Sequence, residues 1–265
     1  VRLRGLKPDA VYLEEQSGRQ YSGAALMHAG IPLPPFTREY EAYQFAFTEL
    51  KEAGTLYEKV QKWCDRNAKN RVVISLYGGS GSGKTTLATA LQQYFLNDGT
   101  GCYLLSGDDY PHRIPKRNDE ERMRVYKETG EDGLRGYLGT KKEIDFDRIN
   151  EVLAAFHEGK DTITLRHMGR EDGEISSAET AFSGISVLLL EWTHGGSDDL
   201  HGVDLPVFLE SSPEETRERR IRRNRDENAA SPFICRVVEL EQEKLEVQRK
   251  NAGLIVGKDG RVYEP

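Results

Sequence analysis

The stretch YGGSGSGKTT, residues 77–86, decides the fold of this chain. It satisfies the pattern G-x-x-x-x-G-K-[ST], in which glycines let the backbone wrap closely around phosphate oxygens. The β-branched run VVISLY at 72–77 precedes the loop, and the helix-periodic run TTLATALQQYF follows the lysine of the loop. A flexible Gly/Ser linker would not end in Lys-Thr-Thr at the head of an apolar helix. The stretch therefore predicts a strand, a phosphate-binding loop and a helix, in that order.

The residues of this loop have separate expected roles, because a phosphate loop binds a nucleotide and its metal together. Backbone N–H groups at the start of a helix present positive partial charge to phosphate oxygens. Lys84 is expected to reach the outer phosphates and support catalysis, and the Thr85 hydroxyl to bind Mg²⁺. The pattern thus predicts ATP and Mg²⁺ as cofactors, with nucleotide-binding residues Gly79, Gly81, Ser82, Gly83, Lys84, Thr85 and Thr86.

The rest of the chain alternates short apolar runs with helix-periodic runs. This alternation favours an α/β fold of the P-loop NTPase type, with a parallel sheet covered by helices on both faces. The spacing of apolar residues from Tyr43 to Cys64 predicts one long helix capped by Thr37, and LIVGKDGRVY predicts a hairpin turned at Asp259-Gly260. Further strands are predicted at 102–106, 162–168, 185–191 and 204–209, and helices near 118–128, 146–157, 213–228 and 233–250.

Acidic residues follow two of the predicted strands at the edge where open α/β sheets bind their ligands. Asp108 and Asp109 follow the second strand, within LSGDDYPHR. A carboxylate there accepts a proton from a substrate hydroxyl or holds a metal through water, whereas the alternative is a pair that only caps a turn. Glu191 ends the apolar run ISVLLLE and predicts a further Mg²⁺ ligand beside Thr85 and Asp108.

The basic run TRERRIRRNRD, residues 216–226, follows a predicted strand and a capping box that begins at Ser212. This position favours a lid helix that brings arginines over a nucleotide. The planar guanidinium suits the spread charge of a transferred phosphoryl group. We expect Arg223 and Arg225 to be catalytic and Arg219 to bind the nucleotide, while the other arginines form a solvated helix face.

Several of these motifs together resemble the uridine kinase and phosphoribulokinase family over about residues 71–226. They are GGSGSGKTT, LSGDDYPHR, DFDRINEVL, ITLRHMGRE and VLLLE, followed by the arginine helix. The resemblance implies a phosphotransferase that uses ATP and Mg²⁺, with Asp108 as the catalytic base. For His167 an ordinary strand histidine is an equal alternative to a substrate contact. The substrate-binding residues implied are Asp108, Asp109, Tyr110, His112, Arg113, Arg166, His167 and Arg170.

The amino-terminal part resembles a different family. Residues 3–34 contain YSGAALMHAGI and are similar to the carboxyl end of retaining α-galactosidases, where this motif closes a β-sandwich. The resemblance implies that residues 1–35 are the remnant of a fused α-galactosidase and that residues 36–265 form the kinase domain. We expect the remnant to contribute little to the turnover of the kinase domain. Hydrolysis of raffinose-type sugars leaves sucrose, so the expected reaction is phosphorylation of sucrose at its glucosyl primary hydroxyl.

Composition limits the other function classes. The chain has 265 residues and a net charge of −7, which disfavours nucleic acid and anionic membranes as partners. No segment reaches the roughly 20 apolar residues of a membrane helix, and three distant cysteines predict neither a zinc site nor a disulfide framework. We therefore expect a cytoplasmic enzyme with a small sugar substrate. A nucleoside or other metabolite kinase, a non-catalytic ATP-sensing module, and assembly as a homo-oligomer stay open.

Overall fold

The computed structural model describes residues 1–35, 42–171, 173–223 and 231–265, without the side chains of 218, 219 and 221–223. The strands are β1 (Val11–Glu14), β2 (Gln20–Ser22), β3 (Phe47–Glu49), β4 (Val72–Gly78), β5 (Cys102–Ser106), β6 (Thr162–Met168), β7 (Ile175–Ala181), β8 (Val187–Glu191), β9 (Leu205–Leu209), β10 (Leu254–Val256) and β11 (Val262–Tyr263). The α-helices are α1 (Gly23–His28), α2 (Lys51–Asn67), α3 (Lys84–Asn97), α4 (Pro115–Tyr137), α5 (Phe146–His157), α6 (Pro213–Arg223) and α7 (Pro232–Gln248).

The central sheet has the strand order β11-β10-β9-β4-β8-β5. Its neighbours pair in parallel, except that β11 returns antiparallel to β10 as the predicted terminal hairpin. Strand β4 is buried along its whole length and lies between β8 and β9. Parallel strands point their carboxyl ends to one edge, so the loop after β4 opens at the same edge as the ends of β5 and β8. The predicted α/β fold is confirmed.

Each face of the sheet carries its own apolar core, because successive strand residues point to opposite sides. On one side, Ile74 and Leu76 of β4 pack with Leu91 of α3 and with α2. On the other side, Val73 of β4 and residues of α5 such as Phe156 pack together. Helices thus cover both faces, as predicted.

Strand β6 does not join the central sheet, contrary to the sequence-based expectation. It pairs with β7 over seven residues to form a separate antiparallel hairpin, and only Ile163 and Leu165 of β6 are buried. The pattern of β6 is that of a strand with one face on the core and one in solvent. Strand β7 has the sequence ISSAETA, which lacks an apolar alternation and was not predicted.

The long helix predicted from Thr37 is also wrong, since α2 begins only at Lys51. Thr37 lies outside the described residues. Phe47 lies in β3, which pairs with β1, and its ring meets that of Tyr21 edge to face at 6.2 Å. Tyr57, Val60 and Cys64 do lie in α2, as the spacing predicts, whereas Phe47 belongs to a small three-stranded sheet, β2-β1-β3.

This small sheet shares a buried side chain with the apolar core that lies on one face of the central sheet. Val11 of β1 is fully buried in the cluster that holds Leu50, Leu56 and Leu91. Residues Tyr12, Leu26 and their neighbours form a separate small cluster of their own. The predicted boundary at residue 35 remains a prediction, but part of the segment before it shares a core with the segment after it.

Within the part of the chain that the structure describes, none of the helices combines the length and the apolar character that a membrane span needs.

We predict that Val11→Ala lowers the free energy of unfolding of the protein by about 2 kcal/mol, because it removes buried methyl groups from the shared core. Urea denaturation followed by circular dichroism measures the change. Leu33→Ala is the matched control, since Leu33 is exposed and lies in the same segment. If the two variants unfold alike, Val11 does not belong to the core of the central sheet.

Candidate active site

The phosphate loop connects β4 to α3 and is shaped by glycines with positive φ. Gly81 and Gly83 have φ of 80° and 99°, in the left-handed region that side chains rarely adopt. The amide of Ser82 donates to the carbonyl of Gly79 at 3.1 Å. Lys84 opens α3, and its buried ammonium donates to the same carbonyl at 3.0 Å. The predicted lysine therefore points back across the loop that it ends.

Helix α6 packs directly on this loop, as a lid helix would. It begins with the predicted capping box, in which the Ser212 amide donates to Glu215 Oε2 at 2.9 Å and the Glu215 amide to Ser212 Oγ at 3.4 Å. A Cβ on Gly81 would lie 3.1 Å from both Arg220 Cγ and Thr216 Cβ. The close approach of α6 thus adds to the need for glycine at position 81.

Three polar groups around the loop are buried without a hydrogen-bond partner among the described residues: Ser82 Oγ, Ser211 Oγ and Arg220 Nη1. Buried polar groups are ordinarily paired, so orphaned ones beside a phosphate loop fit oxygens of a bound nucleotide. Sequence reasoning missed Arg220. Of the arginines it favoured, Arg225 lies outside the described residues, and the side chains of Arg219 and Arg223 do as well.

At the same edge of the sheet, β5 ends in a turn that presents Asp108 to solvent. The turn begins at Gly107, which lies under the buried indole of Trp192; a Cβ there would be 2.0 Å from Trp192 Cγ. Glu191 ends β8 and is in register with Ser106 of β5 and Leu76 of β4. Asp108 and Glu191 therefore end adjacent strands on the β8 side of the loop, as predicted.

Asp109 has a different environment from Asp108. Its Oδ1 accepts a hydrogen bond from the backbone amide of Met168 at 2.9 Å, which ties the turn to the β6–β7 hairpin. Burial raises the pKa of Asp109, while the Met168 amide and the nearby His167 lower it in part. This carboxylate is engaged in holding the hairpin.

A pocket of about 100 Å³ opens beside Asp108. Its lining comes from the turn after β5, from α4, from the segment between α4 and α5, from the loop after β8 and from α7. The lining is largely polar and charged, which suits a hydroxyl-rich ligand better than an apolar one. The residues are Asp108, Pro111, Asn118, Arg122, Glu143, Ile144, Trp192, Thr193, His194 and Glu241.

A buried ionic network organises this pocket. Arg122 donates through Nε to Glu143 at 2.6 Å and through Nη2 to Glu241 at 2.9 Å. Asn118 donates to Glu143 at 2.9 Å, and the amide of Gly139 donates to the other Glu143 oxygen at 2.6 Å. Burial opposes the charge of Glu143, but Arg122 and the other donors hold its pKa below the usual range. Glu241 has a raised pKa, because burial outweighs the attraction of Arg122.

His194 lies beside this network and is buried against the indole of Trp192, with ring centroids 5.5 Å apart. Burial lowers its pKa to about 4. The imidazole is therefore neutral at neutral pH and has both a donor and an acceptor nitrogen. Sequence reasoning noted the run EWTHGG but assigned His194 no role.

Apart from Asp108, the predicted substrate residues are not among those that line this pocket. Tyr110 is fully buried in the core, where burial raises its pKa to about 12. His112 is exposed, and its Nε2 lies 3.0 Å from the carbonyl oxygen of Lys141.

The predicted arginines are engaged by other residues. Arg113 donates to the hydroxyl of Tyr137 at 3.4 Å, and Arg166 donates to the carboxylate of Asp145 at 3.4 Å. The exposed side chains of His167 and Arg170 lie at the turn end of the β6–β7 hairpin, the end that is hydrogen-bonded to Asp109.

The donors for Mg²⁺ are few but chemically suitable. The residues that the structure describes contain no group of three or more His, Cys, Asp or Glu side chains able to hold a metal. Mg²⁺ in phosphate-transfer sites keeps several waters and takes only one or two protein oxygens besides the phosphates. Thr85 is exposed in the first turn of α3, and Glu191 lies one strand away, so hard oxygen donors of this kind are present.

Comparison with known proteins shows the class to which this site belongs. Residues 73–231, more than half of the chain, match the Phosphoribulokinase / Uridine kinase family. The chain therefore belongs to that family of kinases. Residues 1–47 match the Glycosyl hydrolase family 36 C-terminal domain, so the resemblance of the amino-terminal part to a galactosidase end is also confirmed.

One relative is the bifunctional alpha-galactosidase/sucrose kinase AgaSK of Mediterraneibacter gnavus, which is 95% identical over 264 residues. The match covers 100% of this chain but 28% of that relative. Similar solved folds include phosphoribulokinase from Rhodobacter spheroides, with a TM-score of 0.53 and 15% identity over 71% of this chain and 70% of that one. D-glycerate 3-kinase from Cryptococcus neoformans has a TM-score of 0.51 and 11% identity over 81% and 98%.

We predict that the stability of the protein falls as the pH drops from about 6.5 to about 4, partly through His194. The unfolded imidazole binds its proton near pH 6.5, whereas the folded one stays neutral down to about pH 4. The proton therefore favours the unfolded chain in this window, by up to about 3 kcal/mol. Glu143 raises the pKa of His194, while Arg122, Lys244 and Lys84 add to the lowering.

Urea denaturation at a series of pH values tests this expectation. His194→Asn should flatten the pH dependence of the free energy of unfolding between pH 6.5 and 5, where few carboxylates titrate. His28→Asn, at an exposed position, is the control and should keep the slope of the unmodified protein. An unchanged slope in His194→Asn would show that the buried imidazole does not titrate as described.

Proposed function

We propose that the protein transfers the γ-phosphoryl group of ATP to a sugar hydroxyl, and that the acceptor is the glucosyl primary hydroxyl of sucrose. The observation that carries the proposal is the position of Asp108, exposed at the end of β5 and lining a polar pocket. A nucleotide sensor needs no carboxylate between a phosphate loop and an acceptor pocket. A kinase needs one as a base.

The reaction follows from the order of the strands. An acceptor in the pocket places its hydroxyl beside Asp108, on the β8 side of the loop that holds the phosphates. The acceptor oxygen attacks the γ-phosphorus, the bond from phosphorus to the β–γ bridging oxygen breaks, and ADP leaves with that electron pair. Asp108 takes the proton from the attacking hydroxyl.

Other residues stabilise the charge that moves in this step. We assign Lys84 and arginines of α6 to the phosphate oxygens, including Arg220 with its orphaned Nη1 and the predicted Arg219, Arg223 and Arg225. Thr85 and Glu191, with Asp108 through water, would hold Mg²⁺, which neutralises phosphate charge when bound. Loop residues from Gly79 to Thr86 would hold the phosphates through their amides.

The pocket supports a sugar as the acceptor. A sugar unit presents several hydroxyls, each able to donate and accept, and the lining offers Asn118, Glu241 and a neutral His194 to meet them. About 100 Å³ is small beside the roughly 300–1,000 Å³ of drug-sized sites, so one sugar unit enters and the rest of the molecule lies outside. The name of the 95% identical relative supports sucrose. We place the reaction in the cytoplasm, because ATP is available there and because the three free cysteines of the protein stay reduced there.

We predict that Asp108→Asn lowers kcat about 10²–10⁴-fold and leaves nucleotide affinity nearly unchanged, because the amide keeps the shape and cannot accept the proton. Asp109→Asn is the matched control and should cost much less, since its oxygen can still accept from the Met168 amide. Single-turnover rates and separate nucleotide binding measure both effects. Near wild-type transfer by Asp108→Asn would remove the base from this mechanism.

We predict that sucrose is the preferred acceptor and that raffinose is poorer, because its galactosyl unit occupies the glucosyl primary hydroxyl. Acceptor-dependent ADP release, measured with sucrose, raffinose, glucose, uridine and no acceptor, tests this order. The position of the phosphate on the product is then read by NMR. A preference for uridine would favour a nucleoside kinase, and nucleotide binding without any acceptor-dependent turnover would favour a sensing module.

A further inference from the structure

A second and larger pocket, of about 630 Å³, borders the phosphate loop on the side away from Asp108. It lies between the loop, the start of α6 and the turn from β10 to β11. Its lining mixes apolar side chains and loop backbone with five charged side chains, those of Glu52, Glu210, Glu215, Lys258 and Asp259. Kinase-core residues in it include Gly81, Thr86, Leu209, Ser211 and Gly257. The pocket therefore continues outward from the place where phosphates are expected to bind.

The direction of the phosphate chain follows from the sheet. The loop rises from β4, with β8 and β5 on one side and β9 and β10 on the other. The acceptor carboxylate Asp108 is on the β5 side, so the γ-phosphate points that way. The nucleoside must then extend to the β9 and β10 side, where the second pocket lies. A salt bridge of 3.0 Å between Lys258 and Glu215 joins the hairpin turn to α6 at this pocket.

The wall of this pocket also includes a residue of the amino-terminal segment. Leu13 of β1 lines it together with Leu50, which precedes α2. From the neighbouring strand β2, the side-chain amide of Gln20 donates to the carbonyl of Thr86 at 2.8 Å. Thr86 lies in the first turn of α3, two residues after Lys84, and itself lines the pocket.

These contacts are held in place by the kinase core. Val11, two residues before Leu13, is fully buried in that core, and its amide lies 3.4 Å from the hydroxyl of Tyr94 in α3. Its carbonyl accepts from the amide of Leu50 at 2.9 Å. The segment is therefore a fixed wall of the pocket, attached on both sides to elements that carry the loop.

We infer that residues 11–22, which lie within the part that matches a glycosyl hydrolase domain, complete the nucleotide site of the kinase. Leu13 packs against the nucleoside, and Gln20 is a positioning residue that fixes the first turn of α3. This differs from the sequence-based expectation that the segment contributes little to turnover. The inference rests on the proposed function only in taking ATP as the nucleotide.

The test compares the binding of Mg·ATP with that of Mg·tripolyphosphate, which has the phosphates and no nucleoside. Both are measured by calorimetry on the full chain without any acceptor. Leu13→Ala should weaken ATP binding about tenfold by loss of apolar contact and leave tripolyphosphate binding unchanged. Leu13→Trp, which fills the pocket, should exclude ATP more strongly and still bind tripolyphosphate. Gln20→Ala should weaken both ligands, and Gln16→Ala, an exposed glutamine of the same segment, should weaken neither.

Equal ATP affinity in the unmodified protein, Leu13→Ala and Leu13→Trp would overturn the inference, and so would a parallel loss of ATP and tripolyphosphate in both Leu13 variants. A Gln20→Ala protein that binds both ligands normally would remove the positioning role. None of these outcomes depends on phosphotransfer. If sucrose fails as an acceptor while the Leu13 variants lose ATP selectively, the proposed function fails and the inference stands.

Discussion

The position of β4 between β8 and β9 is the constraint on which the rest of this structure depends. Because β4 is paired on both edges and covered on both faces, its carboxyl end is fixed, and the glycine loop begins from a rigid base. The parallel pairing brings Glu191 and the turn at Asp108 to the same edge. It also divides the edge into a β8–β5 side, where we propose that the acceptor binds, and a β9–β10 side, where we infer that the nucleoside binds. Backbone pairing between the strands therefore sets the relative positions of the loop, Glu191 and Asp108.

The pocket beside Asp108 is built differently from the loop, by ionic contacts between distant segments. Arg122 of α4 joins Glu143 to Glu241 of α7. In the sequence, Glu143 lies 21 residues after Arg122 and Glu241 lies 119 residues after it. Apolar residues of the same two helices, Leu134 and Leu240 among them, pack together nearby. Charges this deeply buried are costly unless each is paired, so losing one partner would strand the others. The network therefore fixes where α7 lies, and with it one wall of the pocket.

The sequence predicted local features well and distant contacts poorly. The strands at 102–106 and 162–168 and the helix at 146–157 lie where periodicity placed them, since each has its own apolar pattern. The helix predicted across Phe47 was wrong because that ring packs on Tyr21, a contact that spacing cannot reveal. The polar pocket was missed for the same reason. Arg122 and Glu241 are ordinary helix charges until the fold brings them together.

The burial of Val11 within the kinase core has a consequence for how such a gene can be rearranged. The two family matches leave a gap between residues 47 and 73, and a recombination event would be expected to fall near such a junction. Any crossover between Val11 and Leu50 separates Val11 from the hydrophobic cluster in which it is buried, so one daughter protein lacks part of that core. Exchange is structurally neutral only when the small β-sheet moves with the kinase. The unit of inheritance is therefore longer than the catalytic fold alone.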